Sequence, residues 1–549
     1  MRKLTRRTML AGAAATAATA LAPIPGLHRF AKADACIQSL KDFLVAADQQ
    51  QLTGADRETI VTKAIKLLDG FYCHLPIKQK LYNVDPLGRL RQLQIRAAQF
   101  NSDRPFHAEM MEIFTELHDM HTRYRPPTPY GSAHAFLPFR VEACKEDGRR
   151  KYIATLVLDN FITQPTFVRG VEILQWNGDP IEQAIARAGG EGATLDARNA
   201  VGLARLTYRA LQLQAVPDAD TVRVRYRTDD NRELDIEIPW KVWSVSNDCS
   251  ICTTAQIQNF GNFLFAPYNL CDDVIKSETH TTPNGDTFGY IRIYSFPMPP
   301  ADPDQFVQKF RSAIAQFTNA KGLIVDVRDN GGGSIRLSER IVQWVAPTPG
   351  AIEPSKLYFR ATQAALDLCQ LPMSVVGGLG LPPDGSTAWV PSIQRALQNR
   401  EPFSDAFHYT ADGDANTSGR QPFPRPVIVV TDALTFSSAE FFAAGFKDHG
   451  GKILGVHETT GGGGANFRQL TDLGKYFTDS GMPSPFAALP NGAGFQVAFR
   501  RSKRVGLGAG KEIEDAGVER DFAHEMTRND LLNKNQDLKN HAAALLAQM

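Results

Sequence analysis

From about residue 286 onward, short apolar runs alternate with segments of helical spacing. The runs at 288–293, 322–327 and 427–430 predict buried strands, and the segments after the first two predict helices. Parallel neighbours need a long crossover, which a helix usually supplies, so strands that alternate with helices favour a parallel or mixed sheet. This alternation predicts an α/β core, and it is the strongest constraint that the sequence places on the fold.

The other regions differ from this core in their periodicity. Helical spacing near the N-terminus, and a period of two from about residue 134, predict a helical domain followed by a β domain. A stretch rich in Pro, Gly, Asp and Ser breaks the core pattern and is interpreted as an insertion over the core. The predicted divisions are a helical domain at 36–130, a β domain at 131–245, core parts at 246–349 and 425–549, and the insertion at 350–424.

The composition of the 549 residues limits the classes of partner. The net charge is +1, which gives no electrostatic basis for binding nucleic acid or an anionic membrane surface. No apolar run is long enough to span a bilayer. Among seven cysteines, Cys249 and Cys252 form a lone C-x-x-C without a second ligand pair, so we expect no zinc. Nothing in the sequence points to another metal or an organic cofactor, so we expect none. A disulfide to Cys271, or simple burial, is the expected state of this pair.

The N-terminus has the order of an export signal. Thr5–Leu10 contains Arg6-Arg7 and resembles a twin-arginine motif, an alanine-rich run follows, and Ala31-Lys-Ala33 is a suitable cleavage site. Residues 1–35 are therefore predicted to be a signal peptide, and the mature protein is expected in the periplasm or outside the cell. The alternative is a frayed cytosolic tail.

Ser437 is the first candidate for catalysis. It follows the apolar run at 427–430 by a few residues and precedes a segment of helical spacing. A strand that turns sharply into a helix lifts a hydroxyl to the end of the strand and aims N–H groups at the atom it attacks. The alternative is purely structural, because Ser437 and Glu440 also form the S-x-x-E pattern of a capping box.

A second candidate segment ends the predicted strand at 322–327. Asp326–Gly333 closes in three glycines, and such a turn offers unhindered backbone N–H groups, as an oxyanion hole requires. A bare tight turn is the alternative. A phosphate cradle is disfavoured, because no G-K-[ST] follows the glycines.

Together these segments resemble the C-terminal-processing (tail-specific) serine peptidases. The resemblance rests on D-V-R-D-N-G-G-G, V-I-V-V-T-D-A-L-T-F-S-S-A-E and G-V-H-E-T-T-G-G-G-G, and on a PDZ-like segment with an Asn177-Gly178 turn. It implies a ClpP/crotonase-like α/β core with a PDZ-like β domain and an N-terminal helical domain. It also implies that Ser437 is the nucleophile, with oxyanion donors at Ser438 and Gly332, and that Asp448 is a recurring family residue.

The chain departs from most of this family at the general base. Gly463 stands where tail-specific members carry a lysine. The tricorn core and the secreted chlamydial protease resemble the family and also lack that lysine; they use a histidine and a glutamate. Similarity to their segments implies His121, in H-D-M-H-T, as the base and Glu514, in I-E-D-A-G-V, as its acid. His118 is the nearest rival of His121.

Two functions therefore remain open at the level of sequence. The first is an exported serine endopeptidase with a Ser437–His121–Glu514 triad, acting on protein or peptide substrates, with the oligomeric state undecided. The second is a non-catalytic ligand- or peptide-binding protein on the same scaffold, a use for which retinoid-binding proteins are a precedent. In the PDZ-like segment, Pro138 has no N–H, which weakens any capture of a C-terminal carboxylate by Phe136–Phe139.

Overall fold

The computed structural model describes residues 37–49, 51–158, 161–244, 274–297, 302–347, 352–376, 385–410, 423–486 and 488–549. The predicted signal peptide at 1–35 and the cysteines at positions 36, 249, 252 and 271 lie outside these residues. Cys73, Cys144 and Cys369, which lie within them, are free and buried.

Five helices form the N-terminal region, as their spacing predicts. Local signals start them: Thr53 and Asp56 cap the second helix reciprocally, and Pro86 follows the capping Asp85 at the fourth. The apolar faces of the second to fifth helices pack into the same cluster as the α/β core, whereas Leu40, Phe43 and Ala47 of the first helix pack into the cluster of the β domain. The helices are α1 Leu40–Ala47, α2 Gly54–Phe71, α3 Leu75–Tyr82, α4 Pro86–Arg96 and α5 Asp103–Thr115, and the short strands are β1 Ile37–Ser39 and β2 Arg123–Arg125.

The β domain has its own apolar cluster and two sheets. Its elements are β3 Ala133–Phe136, β4 Phe139–Glu146, β5 Arg149–Val157, β6 Glu172–Trp176, β7 Asp179–Pro180, α6 Ile181–Ala188, α7 Leu195–Thr207, β8 Tyr208–Ala210, β9 Thr221–Arg227, β10 Glu233–Pro239 and β11 Lys241–Ser244. One sheet has the order β10-β9-β6-β5-β4 with β7 on β6, and the other has the order β1-β11-β3-β8. Asn177 and Gly178, at φ 53° and 91°, form the predicted tight turn between β6 and β7.

The core is a six-stranded sheet with the order β12-β13-β14-β17-β18-β21. All neighbours from β13 to β21 are parallel, and β12 is antiparallel to β13. The predicted α/β class is thus confirmed. These elements are β12 Ile275–Thr281, β13 Thr287–Ile293, α8 Pro303–Ala315, β14 Leu323–Asp326, α9 Ile335–Val342, β17 Val427–Thr431, α13 Ser438–Asp448, β18 Lys452–Gly455 and β21 Phe522–Ala523.

A second sheet, with the order β16-β15-β20-β19, receives β2 as a further partner of β20. The segment interpreted as an insertion supplies β15, β16 and three helices to this part of the fold. The side chains of Leu357 and Tyr358 in β15 are buried there, so the segment contributes to the packing. The remaining elements are β15 Lys356–Tyr358, α10 Gln363–Cys369, α11 Met373–Val376, α12 Gly385–Asn399, β16 Phe407–His408, β19 Ala465–Gln469, α14 Leu470–Asp479, β20 Gly494–Lys503, α15 Arg528–Leu532 and α16 Gln536–Leu546.

This topology brings distant segments to one edge of the core. Strands β14 and β17 are adjacent and parallel, so the turns that follow them meet at their carboxyl ends. Pairing of β2 with β20 carries the segment after α5 to the same region. Of the helices in the described ranges, none has the length and apolar character needed to cross a membrane.

Candidate active site

Ser437 sits on a tight, strained turn between β17 and α13. The Asp432 carboxylate organises this turn by accepting the N–H groups of Leu434 and Thr435 at 3.0 and 2.7 Å. Ser437 itself has φ 58° and ψ −128°, a conformation that costs a non-glycine residue about 1–3 kcal/mol. The predicted strand-to-helix mount is present, and its strain holds the Ser437 hydroxyl away from the path of the helix.

The side chain of Glu440 holds this turn in place through hydrogen bonds. Its buried carboxylate accepts the N–H of Ser437 at 3.1 Å, and those of Gly462 and Gly463 at 2.8 and 2.7 Å. The Thr460 hydroxyl donates a fourth hydrogen bond. Burial raises the pKa of Glu440 to about 7, although these four donors oppose the shift. Glu440 therefore contributes the cap that its spacing predicts, and it also joins the nucleophile turn to the glycine-rich segment 461–464.

His121 meets Ser437 from the end of the N-terminal region. Its Nε2 lies 2.9 Å from Ser437 Oγ, and the side chains of Phe436 and Phe467 stack on the imidazole at centroid distances of 4.7 and 5.4 Å. Asp119 Oδ1 accepts the backbone N–H of His121 at 2.7 Å. Burial lowers the pKa of His121 to about 4, with the Asp119 charge opposing the shift, so the imidazole is neutral at pH 7. His118, its rival in the sequence, instead has its ring against Tyr82 at 4.2 Å.

The position of the missing lysine is filled by an aromatic ring. A Cβ atom on Gly463 would lie 1.8 Å from Cε2 and 1.9 Å from Cζ of Phe436. The ring that excludes a side chain at Gly463 is the same ring that stacks on His121. The glycine and the histidine thus belong to one arrangement of the site, in which no lysine can enter at position 463 without displacing Phe436.

The glycine turn packs directly against the nucleophile. Gly332 has φ +97°, and a Cβ atom there would lie 2.5 Å from Ser437 Cβ, so only glycine fits. The N–H of Gly332, however, donates to Asn330 Oδ1 at 2.9 Å. The N–H of Ser438 opens α13, where first-turn N–H groups have no partner within the helix. Of the two expected oxyanion donors, Gly332 is therefore engaged elsewhere in this conformation.

Glu514 lies in a buried charged cluster beside the histidine. Its Oε1 is 2.8 Å from Lys78 Nζ, and its Oε2 is 4.0 Å from His74 Nε2. Burial and the nearby Asp119 raise the pKa of Glu514, against the opposing charge of Lys78. Within the described residues, His121 Nδ1 has no hydrogen-bond partner. The structure thus differs from the expected triad, since no direct hydrogen bond joins Glu514 to His121.

His74, Asp119 and Glu514 could together hold a metal ion, because one nitrogen or oxygen atom of each lies within 4.8 Å of those of the other two. In the described ranges, no other set of three His, Cys, Asp or Glu side chains meets this distance. The donor set suits a metal ion poorly. Arg501 Nη1 lies 3.0 Å from His74 Nδ1 and donates to it, which fixes the proton of the neutral imidazole on Nε2. Lys78 already provides a cation at the Glu514 carboxylate. The arrangement of these three residues therefore does not fit a metal ion.

Three residues that support the site were not among the residues predicted from the sequence: Asp119, Asn330 and Lys78. Asp119 precedes His121 by two positions, a local signal that could have found it. Asn330 donates to Ile293 O at 3.0 Å and accepts from Gly332, a role that depends on tertiary contacts. Asp448, the recurring family residue, pairs with Arg504 at 2.9 Å.

Comparisons with known protein families agree with this architecture. The model of peptidase family S41 matches residues 287–522, and the model of a PDZ domain matches residues 133–246. No curated protein sequence matches the chain.

Solved structures share the fold at low sequence identity. Mature CPAF in complex with lactacystin has 17% identity and a TM-score of 0.65, over 90% of this chain and 99% of that one. Mature CPAF, a chlamydial protein, has 16% identity and a TM-score of 0.65, over 90% and 98%. The S41 match runs from β13 to the start of β21, and the PDZ match spans β3 to β11. Residues 287–522 therefore belong to peptidase family S41, a family of serine peptidases, and residues 133–246 belong to a PDZ domain.

Proposed function

We propose that the protein is an exported serine endopeptidase in which Ser437 is the nucleophile and His121 the general base. The observation that carries the proposal is the 2.9 Å contact between His121 Nε2 and Ser437 Oγ. A neutral, buried imidazole at hydrogen-bond distance is poised to take the hydroxyl proton as Ser437 attacks a carbonyl carbon. The strained turn adds support, because it aims the hydroxyl at the imidazole.

The reaction follows from the positions of these groups. Ser437 Oγ attacks the scissile carbonyl while His121 Nε2 takes its proton, and the imidazolium then protonates the leaving amine. The Ser438 N–H stabilises the oxyanion. The Gly332 N–H is the second donor to the oxyanion once it releases its hydrogen bond to Asn330 Oδ1. Water then attacks the acyl-enzyme with His121 again as base.

Glu514 is proposed as the acid that completes the triad. A buried Nδ1–H without an acceptor costs about 1–3 kcal/mol, so His121 Nδ1 requires a partner in the working enzyme. Glu514 and Asp119 are the carboxylates of the adjoining cluster. Asp119 is already occupied by the His121 backbone N–H and the Thr122 hydroxyl. We expect Glu514 to meet Nδ1 in the working enzyme, either directly or through one bridging water.

The pH dependence of hydrolysis tests this assignment. In Glu514→Gln, where residue 514 cannot titrate, protonation of His121 should place the acid limb of kcat/KM near pH 4 rather than near pH 6.5, because the pKa of the base is lowered. In the wild type, protonation of Glu514, whose pKa burial raises, should add a decline at higher pH. Glu514→Gln should lower kcat by roughly 10²-fold or more, because the imidazolium loses its counter-charge. Ser437→Ala is the inactive control.

Asp119→Asn is the matched variant, since it changes the other carboxylate of the cluster by the same chemistry. We expect it to cost less in kcat than Glu514→Gln. A large loss in Asp119→Asn with an unchanged Glu514→Gln would transfer the role to Asp119. An acid limb near pH 6.5 in Glu514→Gln would contradict the buried, neutral base.

Export is proposed from the N-terminal sequence alone. We expect a mature N-terminus near Asp34 or Cys36, and retention in the cytoplasm when Arg6 and Arg7 are both changed to Lys. N-terminal sequencing of the exported fraction measures the first, and fractionation of cells measures the second. Export of the double-lysine variant at the wild-type level would refute the twin-arginine route.

A binding protein without catalysis is the alternative, and one observation favours it. Ser437 and His121 are only 5% and 3% exposed, and the Gly332 N–H is engaged. Hydrolysis of a denatured protein by the wild type, absent in Ser437→Ala, separates the two functions. A folded wild-type protein that cleaves no substrate would favour binding alone.

A further inference from the structure

A lysine of the N-terminal helical region lies inside the charged cluster around Glu514. Lys78 belongs to helix α3, and its side chain is fully buried. Its Nζ lies 2.8 Å from Glu514 Oε1, and it donates to Asp515 Oδ1 at 2.5 Å and to the His118 backbone carbonyl at 3.0 Å. Three oxygen atoms thus surround an ammonium group that has three protons, and they fix its position.

Lys78 therefore contacts both segments that the proposed triad requires. His118 lies three residues before His121, and Asp515 follows Glu514 directly. The two segments are far apart in the chain, and a cation between them attracts oxygen atoms of both. The ammonium group thus holds the turn that carries the acid beside the segment that carries the base.

The Glu514 carboxylate has few other favourable contacts. In the described ranges, neither of its oxygens has an aligned hydrogen-bond partner. Of the described lysine and arginine side chains, that of Lys78 alone has a nitrogen within 4.0 Å of this carboxylate. His74, 4.0 Å away, is neutral, because burial and the charge of Arg501 keep the pKa of His74 well below its usual range. The other charged or titratable groups that face Glu514 are those of Asp119, Asp515, Arg501, Tyr72 and Tyr82.

The charge of Lys78 bears on the protonation state of Glu514. A buried carboxylate without a cation beside it takes up a proton. Burial raises the pKa of Glu514, and among the opposing charges that of Lys78 has the largest effect, while Asp119 and Asp515 raise the pKa further. A neutral Glu514 could not stabilise the imidazolium that forms on His121 during catalysis. The proposed acid therefore needs the charge of Lys78 to stay in its working state.

We propose that Lys78 is a positioning residue for catalysis: its ammonium group keeps Glu514 ionised and holds the acid-bearing turn beside the segment that carries His121. The inference rests on the proposed peptidase function and deepens it. The lysine of tail-specific peptidases, at the position of Gly463, is a general base. Lys78 has a different role, because it acts through the acid and takes no proton from Ser437.

The pH dependence of hydrolysis by the full-length Lys78→Met enzyme tests the proposal. Methionine is similar in length but has no charge, so Glu514 should stay protonated up to a higher pH. The decline in kcat/KM that Glu514 causes in the wild type should therefore move upward by about one pH unit or more, and kcat at pH 7 should fall roughly tenfold. KM should stay within about twofold of the wild type, since the buried Lys78 meets no substrate.

Three further variants show whether the charge acts through Glu514. In the Glu514→Gln background residue 514 cannot titrate, so adding Lys78→Met should leave the acid limb in place and lower kcat by less than about twofold. Lys78→Gln keeps two N–H donors without the charge, and it should reproduce the shift of Lys78→Met. Lys539→Met is the matched control, because Lys539 is also buried but pairs with Glu278 of β12. Its pH profile should equal that of the wild type.

An unchanged pH profile in Lys78→Met, or an equal loss of kcat with and without the Glu514 carboxylate, would overturn the proposal. Thermal unfolding checks that the variants are folded, and Lys78→Gln provides the same measurement if Lys78→Met is not.

Carbon NMR of the Ser437→Ala protein, with glutamate labelled at its side-chain carboxyl, follows the same protonation without turnover. The Glu514 resonance is assigned from Glu514→Gln, and the midpoint of its titration should rise in Lys78→Met. Absence of hydrolysis by the wild type would refute the proposed function, whereas normal hydrolysis without this rise would refute the inference alone.

Discussion

Replacing His121 with Ala should lower kcat for peptide hydrolysis by roughly 10⁴- to 10⁶-fold, because Ser437 loses the only base at hydrogen-bond distance in the described site. The residual rate should come from substrate binding and the oxyanion donors. Initial rates on a fluorogenic peptide measure the loss. Removing the imidazole leaves a cavity beside Phe436 and Phe467, which stack on it in the wild type, and thermal unfolding measures how much this cavity destabilises the fold.

Two lysines are the controls for this variant. Lys447 and Lys452 pair with Asp521 at 2.9 and 3.4 Å, on the outside of the core. Lys447→Ala and Lys452→Ala should each keep kcat within about twofold of the wild type, since surface ion pairs contribute little. A His121→Ala enzyme of normal activity, or a lysine variant without activity, would overturn the histidine mechanism.

Placing a side chain at Gly463 should disable the site through Phe436. In Gly463→Ala the new Cβ atom meets the Phe436 ring, which must shift and carry the stacked imidazole with it. A displacement of about 1 Å in a catalytic group can cost 10²-fold in rate, and overpacking costs about 1–3 kcal/mol of stability. Gly463→Lys should be at least as impaired, although it restores the lysine of other family members.

Gly445→Ala is the matched control for this effect. Gly445 is a buried glycine of helix α13, and this change also adds one methyl group. Its Cβ atom would lie 3.6 Å from Val342 of helix α9, an ordinary van der Waals distance. We expect wild-type activity and equal or higher stability, as alanine is the better helix former. Combining Gly463→Ala with Phe436→Ala should recover stability relative to the sum of the single changes. Full activity in Gly463→Lys would contradict the account.

The parts of the fold that the sequence predicted are those with a local signal. The strand at Val427–Thr431 and the helix after Ser437 follow from a short apolar run and from helical spacing, and the turn at Asn177-Gly178 follows from backbone sterics. The pairing of β15 with β20 joins residues far apart in the chain, so the composition of 350–424 gave no sign of it.

The site divides in the same way. Ser437, Glu440 and the glycine turn lie in short motifs, and His121 was inferred only through resemblance to other proteins. The contact of Gly463 with Phe436 requires tertiary structure. Two further contacts also require tertiary structure: the hydrogen bond from the Gly332 N–H to Asn330 and the ion pair of Glu514 with Lys78. Buried polar groups take a partner from those that the fold places nearby, and the sequence does not show which these are.

Covalent labelling of the full-length protein with a fluorophosphonate probe tests the central claim most directly. Such a probe reacts with a serine hydroxyl that an adjacent base activates. We expect one adduct, mapped by mass spectrometry to Ser437, absent in Ser437→Ala and formed far more slowly in His121→Ala. A folded wild-type protein that forms no adduct, or that carries it on another residue, would contradict the assignment of Ser437 as the nucleophile.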